Sequence, residues 1–299
     1  MRYFTARGED RRLDQVGRDE LRGSFVQCSD GSTHYELTGP GDGAVVILAG
    51  GLTIPLFYWD RLAEELHGKG FRTLAYSGYG RGYSERVRTG YDEALFVRQL
   101  SELTDRLGLT DRWHVLGTSM GALVATAFAE RHLAQTATLT LVGPGGLAAK
   151  PPAGARLLRH DRLSVLLGKY LGSRMLEQHL SHNVRDAGQS AELSAMVRDC
   201  YRFEGSMYAL FATIADFPLT DRQDLYARAG HWPVPSMLLW GAQDQVTPIA
   251  GFDEVRSLLM PAECHIFEEC GHMAPYERPA QVAAKFGAFV EQAGRWSQR

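Results

Sequence analysis

The sequence is poor in the features that mark several broad classes of protein. It has four cysteines in 299 residues, too few for a disulfide framework in a chain of this length. No apolar run approaches the roughly 20 residues that a membrane-spanning helix needs, and the N-terminus lacks the apolar core of a signal peptide. The net charge of −3 offers no electrostatic basis for binding nucleic acid. We therefore expect a cytoplasmic globular protein with reduced thiols, no membrane span and no nucleic-acid partner; the sequence does not indicate its oligomeric state.

What the sequence does have is an alternation of short apolar runs and amphipathic stretches. A turn at residues 29–32 separates two short strand patterns, which favours a hairpin. Later runs such as A-V-V-I-L-A at residues 44–49 are continuously apolar, as expected for strands covered on both faces. Helical patterns at residues 59–68, 91–107 and 122–131 lie between such runs. The alternation predicts an α/β fold with a doubly wound, mostly parallel eight-stranded sheet.

The alternation stops in the middle of the chain and resumes later. Residues 147–230 contain no strand-like run, and a strand pattern returns at residues 234–240. The helical patterns of this segment lie at residues 157–171, 173–182, 191–201 and 203–215. We therefore predict an α/β core made of residues 23–146 and 231–299, interrupted by a helical insertion at residues 147–230. Residues 1–22 are polar and charged, which predicts a flexible arm.

One stretch combines a strand pattern, a tight turn and a helix pattern. The apolar run W-H-V-L is followed by Gly117-Thr118-Ser119-Met120-Gly121 and then by an Ala- and Leu-rich helical segment. The G-x-S-x-G motif is weak alone, but between a strand and a helix it predicts a sharp turn that exposes the serine. Glycines at both ends allow the backbone of neighbouring segments to pass close by. Ser119 is therefore the candidate nucleophile.

An activated serine needs a base, and the base needs an acid that orients it. The segment Gly241-Ala242-Gln243-Asp244 directly follows the predicted strand at residues 234–240, and Cys270-Gly271-His272 follows the next one, at residues 263–267. The carboxyl ends of parallel strands lie at one edge of the sheet, so both residues are expected near Ser119. The order Ser, Asp, His is the one expected for a hydrolase of this architecture.

At this point the chain resembles the α/β-hydrolase fold superfamily, in its cap-bearing branch, over residues 24–295. The resemblance rests on the motif around Ser119, on L-W-G-A-Q-D ending at Asp244, on G-H at His272, and on G-Y-G-R-G-Y-S at residues 78–84. It implies that Ser119 is the nucleophile, His272 the general base and then acid, and Asp244 the residue that orients the imidazole. It also implies that the insertion is a cap.

The resemblance implies an oxyanion hole made of the backbone N–H groups of Leu52 and Met120. Here the sequence departs from the family pattern, because Ala49-Gly50-Gly51-Leu52 lacks the histidine that many members have. Backbone donors do not require that side chain, but a shift by one residue would make Gly51 the donor instead of Leu52. Both registers remain open.

The expected activity is that of a serine hydrolase acting on a small or medium apolar ester, lactone or thioester. Met207 and Phe211 of the insertion are predicted to line an apolar pocket for this substrate. Two alternatives use the same fold: hydrolysis of a carbon–carbon bond in a 1,3-diketone-like or ring-fission product, and a non-hydrolytic role in ligand binding or biosynthetic cyclisation.

No metal or organic cofactor is expected. The pairs Cys264-His265 and Cys270-x-His272 have ligand-like residues, but His265 falls within a predicted strand and His272 is already assigned to the triad. His114 precedes Ser119 within the buried strand, where a hydrogen-bonded core histidine is expected.

Overall fold

The computed structural model describes residues 1–148 and 161–296. Within them lies one eight-stranded sheet. Its strands are β1 Ser24–Gln27, β2 Ser32–Thr38, β3 Val45–Ala49, β4 Arg72–Tyr76, β5 Trp113–Thr118, β6 Thr136–Val142, β7 Ser236–Gly241 and β8 Glu263–Phe267.

The sheet has the order β1-β2-β4-β3-β5-β6-β7-β8. Strand β2 pairs antiparallel with β1 and β4, and all pairs from β4 to β8 are parallel. The predicted mostly parallel α/β sheet is therefore confirmed. Ala49 pairs with Gly117, and Thr118 with Val142. These pairings place the carboxyl ends of the central strands, and the loops that follow them, along one edge.

The helices in the described part of the chain are α1 Gln15–Asp19, α2 Asp60–His67, α3 Glu93–Arg106, α4 Met120–Arg131, α5 Asp161–Leu180, α6 Ala187–Cys200, α7 Ser206–Asp216, α8 Gln223–Ala229, α9 Phe252–Leu259, α10 Ala274–Glu277 and α11 Pro279–Trp296. None of these helices combines the length and the apolar character needed to cross a bilayer.

The core is built around β5 and α4. Every residue of β5 is buried, and so is every residue of α4 from Met120 to Ala129. A helix that is apolar on all sides is stable only when other elements surround it. In this structure α4 packs against β5 and β6 as well as α3 and α8.

Helices α5 to α8 lie between β6 and β7, where the sequence predicts an insertion. The two helices predicted at residues 157–171 and 173–182 form one helix, α5, as far as the structure describes them; residues 157–160 fall outside the described part. Gly172 lies inside α5, where a Cβ atom would come within 2.6 Å of the Met207 side chain of α7. This glycine therefore allows close helix packing and does not end the helix.

The N-terminal segment differs from the predicted flexible arm. Phe4 is buried, and the backbone N–H of Arg7 donates to the carbonyl of Lys169 on α5 at 3.3 Å. The carboxylate of Glu9 accepts hydrogen bonds from Gly205 N at 2.9 Å and Met207 N at 2.6 Å, which caps the start of α7. A short polar segment becomes ordered here because its few apolar and acidic residues meet partners on the insertion.

Candidate active site

Ser119 lies on the turn between β5 and α4 with φ 56° and ψ −123°. Positive φ is uncommon for a residue with a Cβ atom and marks a locally strained backbone. A Cβ atom on Gly121 would clash with the carbonyl of Ala49, so only glycine lets α4 approach β3 this closely. The turn is held by Ser119 N, which donates to the carbonyl of Val142 at 3.1 Å.

Asp244 and His272 form a buried hydrogen-bonded pair. His272 Nδ1 lies 2.7 Å from Asp244 Oδ2, and each side chain is 1% exposed. When Nδ1 donates to the carboxylate, the other ring nitrogen, Nε2, is left as a proton acceptor. The geometry therefore favours the tautomer in which this histidine can act as a base.

The Asp244 carboxylate is held by the loop that follows β7. Its Oδ1 accepts from the backbone N–H groups of Val246 and Thr247, both at 2.8 Å, and its Oδ2 accepts from the Thr247 hydroxyl at 2.8 Å. Hydrogen bonds of this kind stabilise the ionised carboxylate and restrict its orientation. Thr247 was not identified from the sequence, although its position three residues after Asp244 suits a side chain that returns to the carboxylate.

The segment after β6 joins the nucleophile turn to the acid–base pair. Gly143 has φ 47°, and a Cβ atom there would lie 3.1 Å from Asp244 Oδ2 and 3.3 Å from His272 Nδ1. Two residues later, Gly145 N donates to the carbonyl of Ser119 at 3.2 Å. Residues 143–145 therefore contact both the Ser119 turn and the Asp244–His272 pair, and this link could not be predicted from the sequence.

The predicted oxyanion loop lies beside the serine. A Cβ atom on Gly51 would lie 3.7 Å from Ser119 Oγ, and the carbonyl of Leu52 accepts a hydrogen bond from Arg81 Nε at 2.7 Å. Met120 is the first residue of α4, so its N–H has no partner within the helix. These positions suit backbone donors on both sides of Ser119 and leave the choice between Gly51 and Leu52 open.

Glu277 was also missed, and it links the histidine loop to the insertion. Its buried carboxylate accepts from Gly271 N at 3.0 Å, Met273 N at 3.3 Å and Arg185 N at 3.1 Å. Beside it, His272 N donates to the carbonyl of Asn183 at 3.0 Å. The backbone on both sides of His272 is therefore held by Glu277 and by the loop between α5 and α6.

Two buried histidines outside the predicted triad, His179 and His114, are neutral at pH 7, because burial lowers the pKa of each to about 4. His179 of α5 has a pKa lowered to about 4, mainly by burial and further by the neighbouring His272 and His182. His114, predicted as a core histidine, is buried and lies 2.8 Å from Thr138 Oγ1 through Nδ1.

The predicted pocket residues Met207 and Phe211 are buried, and their assignment to a pocket stays a prediction. Met207 packs against Gly172 of α5, and the Phe211 ring lies 6.4 Å from the Phe4 ring in an edge-on arrangement. The opposite face of α7 contacts the loop at residues 78–84, where Thr213 Oγ1 accepts from Arg81 Nη2 at 2.9 Å. The contacts described for Met207 and Phe211 are therefore with α5 and with the N-terminal segment.

The residues suggested as metal ligands show other contacts. His265 Nε2 lies 3.0 Å from Glu263 Oε2 within β8, and His272 is paired with Asp244. Across the described ranges, no cluster of three or more histidine, cysteine or acidic side chains has an arrangement suited to a metal ion.

Comparison with known proteins identifies the family. A model of the alpha/beta hydrolase fold matches residues 43–279. A 2-hydroxy-6-oxononadienedioate/2-hydroxy-6-oxononatrienedioate hydrolase of Cupriavidus pinatubonensis is 29% identical over 85% of this chain and 90% of its own length. The monoacylglycerol lipase abhd6-A of Xenopus laevis is 25% identical over 70% of this chain and 65% of its own. The structure of a thermophilic esterase from Thermogutta terrifontis superposes with a TM-score of 0.77 at 20% identity, covering 91% of this chain and 99% of that one.

Proposed function

Because the chain belongs to the α/β-hydrolase fold family, we propose that this hydrolase works through an acyl-enzyme on Ser119. The proposed substrate is a small or medium apolar ester, lactone or thioester. The observation that carries the proposal is the buried Asp244–His272 pair, joined at 2.7 Å and packed against the same residues 143–145 that hold the Ser119 turn.

The proposed reaction follows from the roles of these groups. His272 Nε2 takes the proton of the Ser119 hydroxyl as its oxygen attacks the substrate carbonyl, and Asp244 stabilises the resulting imidazolium. The N–H groups of Met120 and of Leu52 or Gly51 donate to the oxyanion, each worth about 2.7–4 kcal/mol in the transition state. His272 then protonates the leaving group and activates a water molecule that releases the acid.

A second candidate is hydrolysis of a carbon–carbon bond. It is favoured by the relative at 29% identity, whose name gives it a 2-hydroxy-6-oxo dienedioate or trienedioate substrate. The same serine, histidine and backbone donors can serve this reaction, in which the leaving group is a carbon acid in place of an alcohol. A 2-hydroxy-6-oxo dienoate tested beside p-nitrophenyl esters of increasing chain length separates the two candidates.

The direct test is covalent labelling by a fluorophosphonate. We expect the probe to label the wild-type protein at Ser119, as identified by peptide mass spectrometry, and Ser119→Ala to fold with unchanged circular dichroism and take up no label. Ser257→Ala, at an exposed position, serves as the matched control. Labelling that persists in Ser119→Ala, or a wild-type protein that neither labels nor hydrolyses any of these substrates, would reject the proposal and favour a non-hydrolytic role.

A further inference from the structure

Helix α5 of the insertion has an inward row of side chains that fixes its orientation. The row repeats every four residues and consists of Ser164, Gly168, Gly172, Leu176 and Leu180, all buried. A Cβ atom on Gly168 would clash with the Phe4 ring, and one on Gly172 would clash with the Met207 side chain. Because the helix packs this closely along one row, the opposite row faces away from the rest of the insertion.

The outward row also repeats every four residues and consists of Arg162, Leu166, Tyr170 and Arg174, all exposed. Leu166 is 55% and Tyr170 is 70% exposed, and Leu171 and Met175 in the adjacent row are 47% and 42% exposed. Six large hydrophobic side chains are exposed among the described residues, and these are four of them. We call the six residues named in this paragraph the outer face of α5. Such a concentration of exposed apolar side chains on one helix marks an interaction surface.

The charge around the outer face is opposite in sign to that of the whole chain. From residue 149 to the end of α5 the sequence has six lysines and arginines and two acidic residues, whereas the whole chain has a net charge of −3. Arg162, Lys169 and Arg174 are exposed, and none of them has an ion-pair partner among the residues that the structure describes. One of the two acids, Glu177, is paired with Arg198 of α6 at 3.9 Å. The outer face therefore combines uncovered apolar side chains with positive charge that is not neutralised.

This combination argues against a second copy of the chain as the partner. In a dimer with two-fold symmetry the face would meet itself, so Arg162, Lys169 and Arg174 would lie against basic residues of the other copy. Like charges brought together across an interface are costly. A bilayer with anionic lipids offers headgroups for the cations and acyl chains for the apolar side chains. Tyr170 suits the boundary between the two, and the basic side chains can extend from it to the headgroups.

We propose that the outer face of α5 docks on a membrane surface that contains anionic lipids, with the helix lying in the plane of the interface. Helices that bind in this way bury an apolar side at the level of the headgroups and hold lysines and arginines beside it. Helix α5 leads into the loop where the Asn183 carbonyl accepts from His272 N at 3.0 Å. Docking would therefore bring the insertion and the His272 loop to the bilayer. The inference goes beyond the proposed function and does not depend on it.

Flotation with vesicles tests the inference without any need for turnover. The full chain is mixed with vesicles of phosphatidylcholine containing roughly one third phosphatidylglycerol, or with phosphatidylcholine alone, and the bound fraction is measured after centrifugation. We expect wild type to bind the anionic vesicles at least about tenfold more tightly, because each basic residue near such a surface contributes roughly a fivefold factor. Raising the salt concentration to about 0.5 M should weaken binding, since it screens exposed charges.

Two double variants separate the apolar contribution from the charged one. Leu166→Ser with Tyr170→Ser removes the apolar side chains of the outward row, and Arg162→Gln with Arg174→Gln removes its cations. Each double variant should lower binding to the anionic vesicles about tenfold or more. Both should keep the circular dichroism of wild type, because all four side chains are exposed.

The matched controls change similar side chains elsewhere on the surface. Met260→Ser replaces an apolar side chain that is 54% exposed, and Arg131→Gln with Lys285→Gln removes two cations from exposed positions on α4 and α11. We expect both controls to bind the anionic vesicles as wild type does.

Two outcomes would overturn the inference. One is a wild-type protein that stays in the soluble fraction with anionic vesicles, and the other is an apolar double variant that floats as wild type does. A wild-type dimer, measured by light scattering, that does not bind vesicles and that the apolar double variant converts to monomer would assign the face to a second copy. Fluorophosphonate labelling of Ser119 in a protein that does not bind vesicles would leave the proposed function standing.

Discussion

At the scale of single residues, the site depends on a few side chains whose positions are set by their neighbours. Ser119 has a positive φ because the glycines around it let α4 meet the sheet. Asp244 is oriented by two backbone N–H groups and a hydroxyl before it meets His272. In the proposed reaction, the geometry of the triad therefore depends on groups that take no part in bond making.

Replacing Thr247 by valine tests this support. The variant loses the hydroxyl that donates to Asp244 Oδ2 at 2.8 Å, and a hydrogen bond to a charged acceptor is worth about 1.5–3 kcal/mol. We expect kcat for p-nitrophenyl acetate to fall about tenfold or more, with KM nearly constant. Thr247→Ser keeps the hydroxyl and should retain wild-type kcat; equal rates for both variants would show that the hydroxyl is not needed.

Glu277→Gln tests the link between the histidine loop and the insertion. The carboxylate accepts hydrogen bonds from the backbone N–H groups of Gly271, Met273 and Arg185. Glutamine offers only one acceptor oxygen, and its NH₂ group would face some of these N–H donors. We expect lower kcat at similar KM and a free energy of unfolding reduced by about 1–3 kcal/mol. Steady-state kinetics and urea titration measure both. Glu268→Gln, on the exposed side of the same loop, is the control.

At the scale of elements, the insertion is held together by its own packing and by the N-terminal segment. Helix α7 places one face against α5 and Phe4, and the other against the loop that carries Arg81. Its first turn is capped by Glu9, which lies 196 positions before Gly205 in the chain. The face toward α5 and Phe4 therefore packs the insertion, while the other face contacts the loop that carries Arg81.

Phe211→Ala distinguishes these tasks. Because Phe211 is fully buried in the packed face, truncation should reduce the free energy of unfolding by about 3–5 kcal/mol, measured by urea denaturation. The chain-length preference of the remaining folded enzyme should stay as in wild type. Leu166→Ala, at a position 55% exposed, should change stability by less than about 0.5 kcal/mol. A shifted chain-length preference at normal stability would contradict this prediction and show that Phe211 lines the substrate pocket.

At the scale of the whole molecule, buried neutral histidines make stability depend on pH. The pKa of His34 and of His114 is lowered from 6.5 to about 4, in both cases mainly by burial. The unfolded chain takes up these protons at a higher pH than the folded protein does. Their contribution to stability is therefore complete above pH 6.5 and is lost as the pH falls towards 4.

His114→Asn tests this contribution. Asparagine can still reach the Thr138 hydroxyl and does not titrate. Between pH 6.5 and 4, the free energy of unfolding should fall with decreasing pH less steeply in the variant than in wild type. The two slopes should differ by about 1.4 kcal/mol per pH unit. Urea titrations at several pH values measure the slopes, and His231→Asn, on the surface, is the control. Parallel curves for His114→Asn and wild type would contradict the prediction.

The sequence by itself determined the parts of this protein that depend on local pattern. Continuous apolar runs and amphipathic stretches differ in period, so the strands of the sheet and most helices of the core could be predicted. The strand, the G-x-S-x-G turn and the helix are contiguous, and Asp244 and His272 each lie on the loop that follows a strand. In a parallel sheet this is enough to bring them to one edge.

The tertiary structure decided everything that depends on contacts between distant segments. Glu277 is hydrogen-bonded to Arg185, 92 positions away, and Arg81 to Thr213, 132 positions away. Neither contact can be predicted from the spacing of apolar and polar residues in the sequence. The continuity of α5 through Gly172, the ordering of the N-terminal segment and the inward packing of Met207 and Phe211 have the same origin. In each case the outcome is set by which surfaces the fold brings together, because burial and hydrogen bonding act on neighbours in space whatever their separation along the chain.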